Sequence, residues 1–239
     1  SMGGKLTVMI AGADERVKAA VPSCGGISDR YSDIQLHLAT VSDPPSLKRI
    51  SCPTFFLSPA NDFHGRINDL ETAVEEIQSN DWRVSCSPHH NHQDTPPYEV
   101  ATQVWFDHHL KATFETPKTP QVKIILKQGM LPQFSIRPDL NRKVRSVEVY
   151  FTQQGILQKP GAVKDDSRNT KHRFWKFIEP QKDSTSGVWL ADLPIFSVER
   201  PVWAYANVLY DLDNPIVGAG YYYGTYETKA FNLSSILQV

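Results

Sequence analysis

Ser1, Asp62 and the group His89, His90 and His92 are the residue types from which an acyl-transfer centre is made. A serine hydroxyl attacks an ester carbonyl at neutral pH only when an imidazole takes its proton, and a carboxylate must hold that imidazole in the right tautomer. Ser1-Met2-Gly3-Gly4 reads as the second half of a G-x-S-x-G turn, in which small residues flank the serine because the chain bends sharply there. The backbone N–H of Met2 would then supply half of an oxyanion hole. The upstream glycine and its strand are absent, and a Ser-Met start is also what a cleaved tag leaves behind. Asp62 competes with its reading as an ordinary loop carboxylate. The three histidines compete with a zinc cluster, which is disfavoured because residues so close in sequence rarely face one ion without a distant ligand. His64 reads as a solvated neighbour of the acid, His108 and His109 as helix residues away from the site, and Cys24 as a buried structural thiol.

The elements that must position these groups alternate. Lys5–Ala11 is an apolar helix, Arg16–Pro22 a short strand, and Pro53–Ser58 an unbroken apolar run suited to a strand buried on both faces. Ile67–Gln78 has helical spacing at Ile67, Leu70, Val74 and Ile77; Trp82–Cys86 is a third strand, and Tyr98–Leu110 a closing helix with Val100, Val104 and Leu110 inward. Asp62 follows one strand and the histidines follow the next, where catalytic groups collect in parallel sheets. Such a succession predicts an α/β architecture with mostly parallel pairing over residues 1–114. After Pro117 and Pro120, runs at 122–126, 144–150 and 202–210 show strand composition separated by turn residues, which predicts an all-β sandwich over 115–239.

Composition narrows the partners. A net charge of -1 over 239 residues gives no electrostatic case for nucleic acid or an anionic membrane surface. No apolar run approaches bilayer length. Three cysteines, Cys24, Cys52 and Cys86, do not make a disulfide framework. Trp175, Trp189, Trp203 and Tyr221-Tyr222-Tyr223 suggest sugar stacking, against the commoner reading as sandwich core.

Ser1-Met2-Gly3-Gly4, the stretch from Pro53 to Asp62, and Asn91-His92 ahead of Val104-Trp105-Phe106-Asp107 resemble the last part of an α/β-hydrolase domain. The likeness is to the branch of dienelactone hydrolases, acetyl xylan esterases and acylaminoacyl-peptidase-like esterases, and it covers roughly residues 1–112. It implies a serine esterase truncated at its N-terminus, with Ser1 as nucleophile, Asp62 as acid, His92 as base and Met2 in the oxyanion hole. It further implies no metal or other cofactor, a small ester as substrate, carbohydrate-linked esters included, and a secreted or periplasmic location. Alternatives are a peptidase of the acylaminoacyl or prolyl type, and a non-catalytic module in which the sandwich binds carbohydrate or a partner.

Overall fold

Apolar spacing and two prolines decide how the first half is built. A computed structural model of the chain describes residues 1–155, 170–220 and 224–239. Helix α1 (Met2–Ala13) buries Gly4, Val8 and Ala11, which recur at helical spacing on one face. Two short helices, α2 (Gln35–Thr40) and α3 (Asp43–Leu47), lead to strand β1 (Thr54–Leu57), all four residues of which are buried. A 3-10 turn, Ile67–Asp69, runs into α4 (Leu70–Glu76), and Ile67, Leu70, Val74 and Ile77 are all buried. Strand β2 (Trp82–Ser85) lies parallel to β1, with Thr54 opposite Trp82. Helix α5 (Pro96–Phe106) opens on two prolines, tolerated where no intrahelical N–H is required. It widens into a π turn, Asp107–Lys111, and Leu110, expected inward, is 55% exposed.

From Gln121 on, the described elements are strands: β3 (Gln121–Ile125), β4 (Gln133–Arg137), β5 (Val144–Thr152), β6 (Lys176–Ile178), β7 (Gln181–Lys182), β8 (Trp189–Asp192), β9 (Trp203–Gly220) and β10 (Gly224–Ser234). They form two four-stranded sheets, ordered β10-β9-β5-β6 and β3-β4-β8-β7, with every pairing antiparallel.

The expected α/β architecture, the C-terminal part of an α/β-hydrolase with a mostly parallel sheet, is therefore not what the chain forms. Its sheets are mainly antiparallel; parallel pairing among the described residues is confined to β1 with β2 and to isolated bridges from Ala20 to Thr54 and Ser23 to Leu57. Pro22 explains why Arg16–Pro22 does not complete a strand. Phe55 and Leu57 donate to the carbonyls of Ala20 and Pro22, and Cys24 donates to Leu57, but Pro22 has no N–H to return. The antiparallel sheets of the second half fit the sandwich expectation.

Strand β9 places alternate residues in two cores. Trp203 and Tyr205 join the cluster built on Val8, Leu47, Phe56 and Leu70, whereas Ala204, Ala206, Val208 and Tyr210 join Phe134, Ile136, Val149 and Trp105. Both clusters draw residues from either side of residue 114. A buried polar seam reinforces the junction. Cys86 N–H donates to Ser234 Oγ (2.8 Å), Asn207 Nδ2 to Cys86 O (3.1 Å) and to Tyr98 Oη (3.0 Å), and Asn232 Nδ2 to Ser85 Oγ (3.0 Å). Trp175 and Trp203 are core residues at 0% and 3% exposure, and Trp189 packs partly buried, so the first two offer no face to a sugar. Tyr221-Tyr222-Tyr223 lies outside the described residues.

Candidate active site

Three loop ends converge where β1, β2 and the start of α1 meet. Asp62 follows β1 in a turn closed by its own N–H to Pro59 O (2.9 Å), and its side chain is completely buried. Oδ1 accepts from the His64 backbone N–H (2.7 Å) and pairs with His92 Nδ1 (3.0 Å), while Oδ2 is buried with no hydrogen-bond partner. The loop after β2 is stitched to the acid's loop, since Ala60 N–H donates to Ser87 O (2.9 Å) and Asn61 N–H to His90 O (3.0 Å). That stitching carries His92 to Asp62 across 30 residues of sequence. The His92 ring also lies 5.1 Å from Phe63 and 5.6 Å from His64 between centroids, which restricts its rotation.

On its other side, His92 Nε2 meets the Ser1 nitrogen at 3.0 Å. Ser1 is exposed at the head of α1, and the atom it presents to that imidazole nitrogen is its α-nitrogen. Lys5 N–H makes the first intrahelical bond, to Ser1 O (3.0 Å), so the N–H groups of Met2, Gly3 and Gly4 lie in the first turn with no helical carbonyl to receive them. The positive end of the helix dipole thus falls at Ser1. Glycines make the approach possible: a Cβ on Gly25 would lie 2.5 Å from Ser1 O, one on Gly4 would overlap Ser23 O, and one on Gly65 would lie 2.7 Å from Gly25 N.

A cavity of about 610 Å³ opens beside Ser1, lined by Met2, Gly25, Gly26, Tyr31, Phe63 and His64 together with charged groups. The charges are paired: Lys5 with Asp29 and Asp43, Arg30 with Glu76, Arg66 with Asp69. A second cavity, of about 390 Å³, is bordered by Cys24, His92, Asp94 and Glu99. Burial pushes the Asp94 carboxyl up to about 7; the Ser87 hydroxyl (2.9 Å) opposes this, and the charges of Asp62 and Glu99 add to it.

The remaining candidates separate cleanly. His90 Nδ1 is engaged with Pro88 O (2.9 Å), and His89 has φ +59° with its ring against Phe174 (5.3 Å). His108 and His109 stack on each other at 4.3 Å, His108 Nδ1 accepting from Thr116 N–H and His109 facing Asp81. His89, His90 and His92 form no metal cluster; among the described residues the one group with such spacing is Cys24, Asp62 and His92. Cys24 is buried, as its reading as a structural thiol expected, but that reading missed its φ of +53°, unusual for a side-chain-bearing residue, and its closeness to Asp62; burial drives the thiol to a high pKa, with Asp94 and Asp62 adding to the effect. Sequence reasoning passed over Asp94, for which no spacing signal exists; the Gly25-Gly26 turn was the available sign that the chain is crowded beside Cys24.

Comparison of the chain with models of protein families, with curated proteins and with solved structures gives no match.

Proposed function

We propose that the chain is a serine hydrolase acting on carboxylic esters through an acyl-enzyme, with Ser1 as nucleophile, His92 as general base and Asp62 as the orienting acid. The observation that carries this reading is the contact of Asp62 Oδ1 with His92 Nδ1 (3.0 Å), with His92 Nε2 3.0 Å from the Ser1 α-nitrogen and Ser1 itself lining a cavity.

In this mechanism His92 takes the Ser1 hydroxyl proton as oxygen attacks the acyl carbon, and the resulting imidazolium sits against the Asp62 carboxylate. The tetrahedral oxyanion develops over the first turn of α1, where the Met2 N–H donates to it and the helix dipole adds stabilisation. His92 then protonates the leaving alcohol, and water attacks the acyl group by the reverse sequence. Because the cavity is lined by ion pairs with few aliphatic residues, a short or polar acyl ester suits it better than a long fatty chain.

A fluorophosphonate probe tests the assignment. Peptide mapping is expected to find the adduct on Ser1, with labelling lost in Ser1→Ala and in His92→Ala and retained in His90→Ala. Labelling elsewhere, or none under conditions where the protein is folded, refutes the reading.

A further inference from the structure

Cys24, Asp62 and His92 arrive from three different loops, yet the Cys24 Sγ, an Asp62 carboxylate oxygen and a His92 ring nitrogen all lie within 4.8 Å of one another. Two of the three residues are buried. Acyl transfer uses the imidazole and Asp62 Oδ1, and leaves two of the potential ligand atoms idle. Asp62 Oδ2 has no hydrogen-bond partner in a fully buried side chain, an arrangement that is normally unfavourable. The Cys24 sulfur receives a long contact from Ser23 Oγ, at 3.5 Å, and its thiol faces the Asp62 carboxylate.

We propose that these three side chains bind a thiophilic divalent cation of the zinc class, and that its binding takes the base away from Ser1. Sulfur, imidazole nitrogen and one carboxylate oxygen make a donor set that favours zinc over magnesium or calcium, which require oxygen ligands. Zinc bonds of about 2.0–2.3 Å in a tetrahedral site put ligand atoms roughly 3.3–3.8 Å apart, so the trio contracts by about 1 Å to close on the ion. Three protein ligands leave the fourth position to water. The cavity bordered by Cys24, His92 and Asp94 gives the ion a route in from solvent.

Binding is incompatible with catalysis for a geometric reason. His92 has two ring nitrogens, Nδ1 on Asp62 Oδ1 and Nε2 on the Ser1 side, where it meets the α-nitrogen. Whichever turns to the metal gives up that partner, and the other cannot complete the relay alone. The Cys24 thiol releases its proton to solvent as the metal–sulfur bond forms; no electron is transferred.

Cobalt(II) chloride titrated into the unaltered protein under reducing conditions tests the site without any turnover, so its outcome is independent of the esterase reading. The expected result is a thiolate-to-cobalt charge-transfer band saturating at one ion per chain and discharged by zinc. Cys24→Ser is expected to abolish the band and, by calorimetry, to weaken zinc binding by at least about tenfold, the loss that even an outer partner's removal brings. His92→Gln is expected to weaken zinc to a similar degree, and Cys52→Ser to leave the band intact. No band in the unaltered protein, or a band that survives in folded Cys24→Ser, overturns the proposal.

Discussion

Replacing Asp62 by asparagine isolates the charge of the acid from its shape. The amide side chain keeps an oxygen that can accept from the His64 N–H, so the turn after β1 retains its internal bond. What the variant loses is the carboxylate facing His92. With Nδ1 and Oδ1 at 3.0 Å, the two charges in the transition state are about 4 Å apart, which at an effective dielectric of 20 is worth about 4 kcal/mol. One decade in rate corresponds to about 1.36 kcal/mol, so the full term is about a thousandfold in kcat. His92 is 31% exposed, and solvent screening lowers the floor to about a hundredfold. The asparagine amide also favours the wrong imidazole tautomer, which pushes the loss upward. The assay is hydrolysis of p-nitrophenyl acetate at about pH 7.5, near the working range of an imidazole base, with circular dichroism to establish that the variant is folded. A fall in kcat of less than about tenfold in a folded variant, or an effect confined to KM, refutes the role assigned to Asp62.

Two further predictions rest on the packing. Gly25→Ala sets a methyl 2.5 Å from Ser1 O and 3.0 Å from Ser1 Cα, both backbone atoms; a loss of about 1–3 kcal/mol in urea unfolding and at least about tenfold in kcat is expected, and an unchanged rate counts against the placement of Ser1. Asp94 gives a pH signature: its folded-state pKa is raised from 3.8 to about 7, so between those values the folded chain keeps a proton that the unfolded chain has lost, and stability falls as pH rises through the window. Asp94→Asn removes that fall, so its stability relative to the parent, followed by thermal melts from about pH 4 to 8, is expected to climb to about pH 7 and then level; parallel profiles would mean that Asp94 is ionised in the folded protein.

The loops that bear Asp62 and His92 could be read from the chain because their signals are local. Pro53–Ser58 is an apolar run that ends in a turn bearing one carboxylate, and the histidines follow the next such run, so Asp62 and the histidines fall at neighbouring strand ends whatever the sheet pairing. Pairing direction was not local. How far the parallel pairing runs depended on one absent N–H at Pro22, and β9 is an 18-residue strand whose first half, 203–210, is almost wholly buried and therefore lacks a simple two-residue alternation of apolar and polar residues. The choice among His89, His90 and His92 also required tertiary information, because it is fixed by the bonds from Ala60 to Ser87 and from Asn61 to His90 rather than by spacing. Cys24 read as structural because its type alone says nothing of a left-handed backbone aimed at Asp62.

The polar seam between Ser85-Cys86 and the Asn207, Asn232 and Ser234 side chains has a consequence for how the molecule opens. Strand β2 is only four residues long and would ordinarily fray on its own, exchanging its amide hydrogens by local fluctuation. Hydrogen-bonded to side chains of β9 and β10, its end can open only when their interior positions lose their partners as well. Its amides are then expected to exchange together with those of the buried part of the β9–β10 hairpin rather than by local fraying, which hydrogen exchange would read directly.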